Sequence, residues 1–151
     1  MKPGDAVTAL ILETFRLNGR LLAAGDALVG SLGLTSARWQ VLGAVAAAPA
    51  PLSVAQIARA MGLTRQAVQR LANDMERAGL LRFAANPNHR RAKLVVMTQS
   101  GQIAYAASMK RQAPWVQSLA HGLSVQQIAA AAVILKRLRQ LLERDEPNKG
   151  E

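Results

Sequence analysis

The sequence predicts a mainly α fold with one small β-hairpin (α+β), and three observations predict it. Aromatic residues are 3% of the 151 residues although the hydrophobic fraction is 50%, so the apolar content is largely alanine and leucine, which favour helices packed through small and straight side chains. A helix-start device occurs four times, as an apolar residue, then Ser or Thr, then a second apolar residue five positions after the first. This is the hydrophobic staple around an N-cap. Two short apolar runs, both after Gly79, have the density and length of strands.

The first helix is expected from about Asp5 to Ser31, where Val7, Leu10, Ile11, Leu17, Leu21, Leu22 and Leu28 make a broken apolar stripe at helical spacing. Glu13, Arg16 and Arg20 on the opposite face read as solvated surface. Leu34, Thr35 and Trp39 start the second helix. The stretch from Ala46 to Pro51 reads as a connection and not a domain linker, because a cap follows at once in Leu52, Ser53 and Ile57, with Gln56 completing a capping box. Gly62 ends that helix after about 8 residues, and Leu63, Thr64 and Val68 start another that Gly79 ends after about 14.

Leu80 to Phe83 and Lys93 to Met97 read as strands, and Ala84 to Ala92, with Asn86, Pro87 and Asn88, as the long tip between them. A further helix is expected from Thr98 towards Ala120, kinked at Pro114. Gly122 precedes the last, which starts at Leu123, Ser124 and Ile128 with Gln127 in a second capping box. It runs to about Arg144 with Ile128, Ala132, Leu135, Leu138 and Leu142 on one face, and the tail from Asp145 to Glu151 is expected to fray.

Nineteen Lys and Arg against nine Asp and Glu give a formal net charge of +10, more than solubility requires, which points to a polyanionic partner. An anionic membrane surface fits the sign, but no apolar stretch approaches the roughly 18 to 20 residues that span a bilayer. The apolar run from Ala6 is interrupted by Glu13 and Arg16, unlike a signal peptide, so a cytoplasmic location is expected. With no cysteine, disulfides, thiolate metal sites and thiol-based oxidant sensing are closed to the chain. His89 has no partner at ligand spacing, so neither a metal nor a cofactor is expected.

A short helix, a turn at Gly62, a longer helix and a basic hairpin form the order of a winged helix-turn-helix, whose second helix enters the major groove of DNA. Charge agrees: residues 53–93 hold eight basic side chains against Asp74 and Glu76. In the helix after Thr64, Val68, Leu71, Ala72 and Met75 form the apolar face, leaving Arg65, Gln66, Gln69, Arg70 and Asn73 outward. Arg can donate twice to guanine, and Gln can both donate to and accept from adenine. Ser53 and Thr64 stand at helix N-termini, which suit phosphate. His89, Arg90, Arg91 and Lys93 lie at the hairpin, where guanidinium groups suit a narrow minor groove.

These segments carry a resemblance. LTRQAVQRLANDMERAG from Leu63 to Gly79, then Leu80, Leu81 and NPNHRRAKLVVMTQSG from Asn86 to Gly101, resemble the MarR family of transcriptional regulators, and LTSARWQVL from Leu34 to Leu42 resembles that family's second helix. The resemblance implies a single domain over 1–151, with a winged helix-turn-helix DNA-binding lobe at about 35–98 and dimerisation helices at about 5–31 and 99–144. It implies a homodimer that regulates transcription, as a repressor in many members, with the wing at the minor groove. Many members are released by small aromatic or phenolic effectors bound where the dimerisation helices meet the lobe. Trp39 falls near that cleft by resemblance, although its place in the staple also makes it a core residue. Tyr105 and Trp115 read as helix packing. Many wings carry an Asp early in the motif that orients a following Arg, whereas this one has Asn86 and Asn88.

Other classes fit less well. An enzyme reading finds no GxGxxG or GxxxxGK[ST] loop, no paired carboxylates in apolar surroundings and no assembled Ser/His/Asp motif. A sequence-indifferent architectural DNA binder needs the same charge but not the base-reading set Arg65, Gln66, Gln69 and Arg70. A winged helix turned to protein binding needs no DNA affinity at all.

Overall fold

Side-chain caps decide where the helices begin. In the computed structural model, which describes residues 1–145, α1 spans Pro3–Val29, α2 Ser36–Ala47, α3 Val54–Met61, α4 Arg65–Arg77, α5 Gln99–Ala120 and α6 Val125–Asp145. The hydroxyls of Thr35, Ser53 and Thr64 accept from the backbone N–H groups of Arg38, Gln56 and Ala67, satisfying donors that a helix N-terminus leaves open. Both expected capping boxes form: Gln56 Oε1 accepts from Ser53 N–H at 2.8 Å, and Gln127 Oε1 from Ser124 N–H at 3.1 Å. α5 continues through Pro114. Of the tail expected to fray from Asp145, Asp145 itself is the last residue of α6, and residues 146–151 lie outside the described residues.

Three strands make one antiparallel sheet: β1 (Leu52–Ser53), β2 (Leu81–Ala84) and β3 (Leu94–Met97), in the order β1-β3-β2. β2 and β3 are the expected hairpin, paired Leu81 with Met97 through Ala84 with Leu94. β1 was expected only as a cap and connection. It pairs Leu52 with Val95 and Ser53 with Leu94, so the wing is fastened to the residue that caps α3.

The described chain divides into a unit of residues 1–112 and a second from Ala113 onward. The first holds the buried core: Val41 and Leu42 of α2, Ile57 of α3, Val68 and Met75 of α4, Leu81 and Val95 of the sheet. The expected apolar face of α4 is buried at Val68, Ala72 and Met75 and half-buried at Leu71. Gly62, at φ +67°, turns the chain sharply from α3 to α4 and donates its N–H to the Ala58 and Arg59 carbonyls, a left-handed turn that suits glycine.

The start of α5 is seated on the end of α4. Thr98 Oγ1 donates to the Gly79 carbonyl at 2.6 Å and accepts from Gly101 N–H at 3.0 Å, while Thr98 N–H donates to the Leu80 carbonyl. Gly101 is buried, and a Cβ there would collide with the Leu80 carbonyl oxygen. In the second unit, α6 buries no residue, and Val125, Val133 and Leu142 are exposed by 82%, 65% and 70%. In the first, α1 likewise leaves Ile11, Leu12, Phe15 and Leu17 open, Phe15 by 72%.

Candidate nucleic-acid interface

The turn at Gly62 and the anchored wing bring two basic elements to one cleft of about 670 Å³. From α4 come Arg65, Gln66, Gln69 and Asn73, from the hairpin Arg91 and Lys93, and from the start of α3 Ser53, Val54 and Ala55. Arg65, Gln69 and Asn73 are four residues apart and stack along one face of α4, beside the buried stripe. Arg65, Gln66 and Gln69 are exposed, and Asn73 is half-buried. Gln69 Nε2 donates to Asn73 Oδ1 at 2.9 Å.

Other residues expected at the interface lie outside this lining. Thr64, Arg70, His89 and Arg90 are exposed, Thr64 as the cap of α4. Ser53 is in the cleft wall but is buried, and its hydroxyl caps α3, so the side chain is occupied within the fold. Glu76 and Phe83 also line the cleft and were missed from the sequence. Helical spacing carried a signal for Glu76, three residues beyond Asn73 on the same face. Strand alternation carried one for Phe83, on the same side of β2 as buried Leu81.

The hairpin tip is organised by its own side chains. Asn86 Nδ2 donates to the Ala92 carbonyl at 2.8 Å, and Asn86 Oδ1 accepts from Asn88 N–H at 3.0 Å. His89 Nδ1 accepts from Ala92 N–H at 3.1 Å. These bonds cross the base of the tip and fix the chain on both sides of Arg90 and Arg91. Arg77 at the far end of α4 pairs with Asp74, whereas Arg65, Arg70, Arg91 and Lys93 make no ion pair among the described residues. Of these, Arg65, Arg91 and Lys93 line the cleft, and unpaired cations there present a positive field to a phosphate chain. Elsewhere in the first unit, Trp39 is half-buried and packs against the core. Among the described residues no cluster of His, Asp and Glu could hold a metal ion, and no single helix is long and apolar enough to cross a membrane.

Comparison with known proteins agrees with this arrangement. The sequence profile of the MarR family matches residues 32–92. The protein Rv2011c of Mycobacterium tuberculosis, whose function is uncharacterized, is 34% identical over 143 residues, covering 95% of this chain and 99% of its own. The transcriptional activatory protein BadR of Rhodopseudomonas palustris is 33% identical over 100 residues, covering 65% of this chain and 57% of BadR. Among solved structures, the transcriptional repressor CouR bound to a 23-mer DNA duplex superposes with a TM-score of 0.74 at 22% identity, over 91% of this chain and 97% of that one. CouR of Rhodococcus jostii has also been solved with p-coumaroyl-CoA.

Proposed function

The chain belongs to the MarR family of transcriptional regulators, and from that premise we propose that it binds a pseudo-palindromic operator as a cytoplasmic homodimer and represses transcription there. One observation carries the reading: Arg65, Gln66 and Gln69 of α4 and Arg91 and Lys93 of the hairpin line the same cleft. With α4 in the major groove, Arg65, Gln66, Gln69 and Arg70 meet base edges, while Thr64, Arg90, Arg91 and Lys93 meet phosphates or the minor groove.

The open apolar faces of α1 and α6 support the dimer, since exposed residues such as Phe15 and Leu142 are the kind of surface that association buries. In this reading the whole chain is one functional module. Residues 35–98 form the DNA-binding lobe, and residues 5–31 and 99–144 supply the dimerisation helices. A two-fold dimer then places its two α4 helices in successive major grooves, with half-sites about one helical turn apart. The effector class is a small aromatic or phenolic molecule near Trp39, a choice supported by the p-coumaroyl-CoA complex of CouR. Such a ligand relieves repression by binding more tightly to the DNA-incompetent spacing of the lobes than to the competent one.

The test is selection of bound duplexes from a random pool at about 0.15 M salt, where nonspecific attraction is weakened. Enrichment of a two-fold symmetric sequence supports an operator-reading dimer. Retained binding without enrichment makes the chain a sequence-indifferent architectural binder. A reporter placed behind the enriched sequence distinguishes repression from the activation that BadR's name records.

A further inference from the structure

Glu76 is the one acidic side chain among the described residues that line the cleft, where it shares the wall with Arg65, Arg91 and Lys93. It is exposed and makes no ion pair among the described residues, whereas Asp74, two positions earlier, pairs with Arg77. It also stands in the last turn of α4, one residue before the helix ends, where the helix dipole disfavours a negative charge. Nothing in the fold gains from this charge, and what it faces is the cleft.

Glu76 lies eleven residues beyond Arg65, which is about three turns at roughly 3.6 residues each, so it points the same way as Arg65 from roughly 16 Å further along the axis. A recognition helix meets base edges with its N-terminal residues, which is the end that carries Arg65. The major groove is about 12 Å wide and 8.5 Å deep and curves around the duplex. A straight helix that enters it by one end therefore has its other end at the phosphate rim.

We infer that Glu76 is a specificity-determining residue that acts by repulsion, withholding affinity from DNA that is held by charge alone. A duplex without the operator sequence is bound through its phosphates, and it settles where the field of the cations is strongest, in the cleft that Glu76 also lines. Operator DNA is held in a register set by base-edge contacts at the other end of α4, so less of its affinity depends on the charge at Glu76. A like charge set against the wrong partner discriminates as well as a contact to the right one. The inference rests on the operator-reading function proposed above and adds to it a residue that reads no base.

The experiment uses the full chain, a duplex selected from the random pool and a scrambled duplex of the same length and composition. Glu76→Gln keeps the shape and helix propensity of the side chain and removes the charge, so the melting temperature should hold or rise. It should tighten binding to the scrambled duplex at least about fivefold, the worth of one unit charge near a phosphate in water. It should tighten the operator by no more than about half that factor, so the ratio of the two affinities falls. On the scrambled duplex the decline of log K with log salt should also steepen. Glu13→Gln makes the same change in net charge on α1, outside the cleft lining, and should move neither affinity comparably, because salt screens distant charges.

Four results overturn the inference. Glu76→Gln leaves the scrambled duplex as it was, or it tightens both duplexes by the same factor, or Glu13→Gln does as much. The fourth is a loss of operator affinity confined to one C·G pair, since the carboxylate would then be accepting from cytosine N4. Failure to select any sequence at all would overturn the operator-reading function, and this inference with it. A selected operator on which Glu76→Gln gives one of the four results overturns the inference alone.

Discussion

The guanidinium of Arg111 donates to the Leu28 carbonyl at 2.9 Å and to the Ser31 hydroxyl at 2.7 Å, joining two points 83 and 80 residues away in sequence. Leu28 lies in the last turn of α1, where carbonyls lack helical partners and where α1 has no basic residue of its own. Arg111 supplies from α5 the positive charge that a helix C-terminus favours. Arg111→Met keeps most of the stem but removes the donors. It should lower unfolding free energy by about 1 to 2 kcal/mol, read from the denaturant midpoint. An unchanged midpoint would show that the contact contributes nothing net.

Gly101 offers a sharper steric test. A methyl group there meets the backbone oxygen of Leu80 and Met97 Cγ, and the oxygen is held by Thr98 N–H. Gly101→Ala should destabilise by about 1 to 3 kcal/mol, the usual cost of overpacking, although alanine is the better helix former. A neutral or stabilising change, measured by thermal melting, would mean that α5 can move off the end of α4 at little cost.

At the hairpin tip the structure separates holding from touching. His89→Ala removes the acceptor of Ala92 N–H but no paired phosphate charge. It should weaken operator and random duplexes alike by about 1 kcal/mol or less, leaving the slope of log K against log salt unchanged. Arg91→Ala should also weaken both alike, and should reduce the magnitude of that slope by about 1. Titrations at several salt concentrations read both quantities. Equal slope changes for the two variants would make His89 a phosphate contact.

On α4 the opposite pattern is expected. Arg65→Ala should cost about 1 to 3 kcal/mol on the selected operator and little on random DNA, since it removes a base-edge donor. Equal losses on both duplexes, by fluorescence anisotropy, would place Arg65 on the phosphates.

How much of this was legible beforehand follows the range of the interactions. The caps at Thr35, Ser53, Thr64 and Ser124 are set by residues three positions away, so the sequence displayed both partners together. The same locality made Gly62 and Gly79 readable as stops, and both have positive φ. β1 was not readable, because two residues have no period and Leu52 and Ser53 become a strand only by pairing with residues 94 and 95. Arg111 looked like any charged residue of an exposed helix for the same reason. At the cleft, α4 could be listed face by face, but the bond from Gln69 to Asn73 depends on rotamers. The roles of Asn86 and His89 within the tip depend on how the loop folds back on itself.

The two-residue strand β1 also bears on how the protein keeps from sticking to itself. Leu94 to Met97 is the most apolar strand of the sheet and, left at an edge, would be a template for another chain's backbone. Pairing with β1 on one side and β2 on the other makes it the central strand. What remains at the margins is an edge only two residues long and another that carries the exposed Arg82. Short and charged edges resist strand addition. The two residues that lead into α3 thereby leave the apolar strand no free edge, so disruption of Leu52 and Ser53 should appear first as lost solubility.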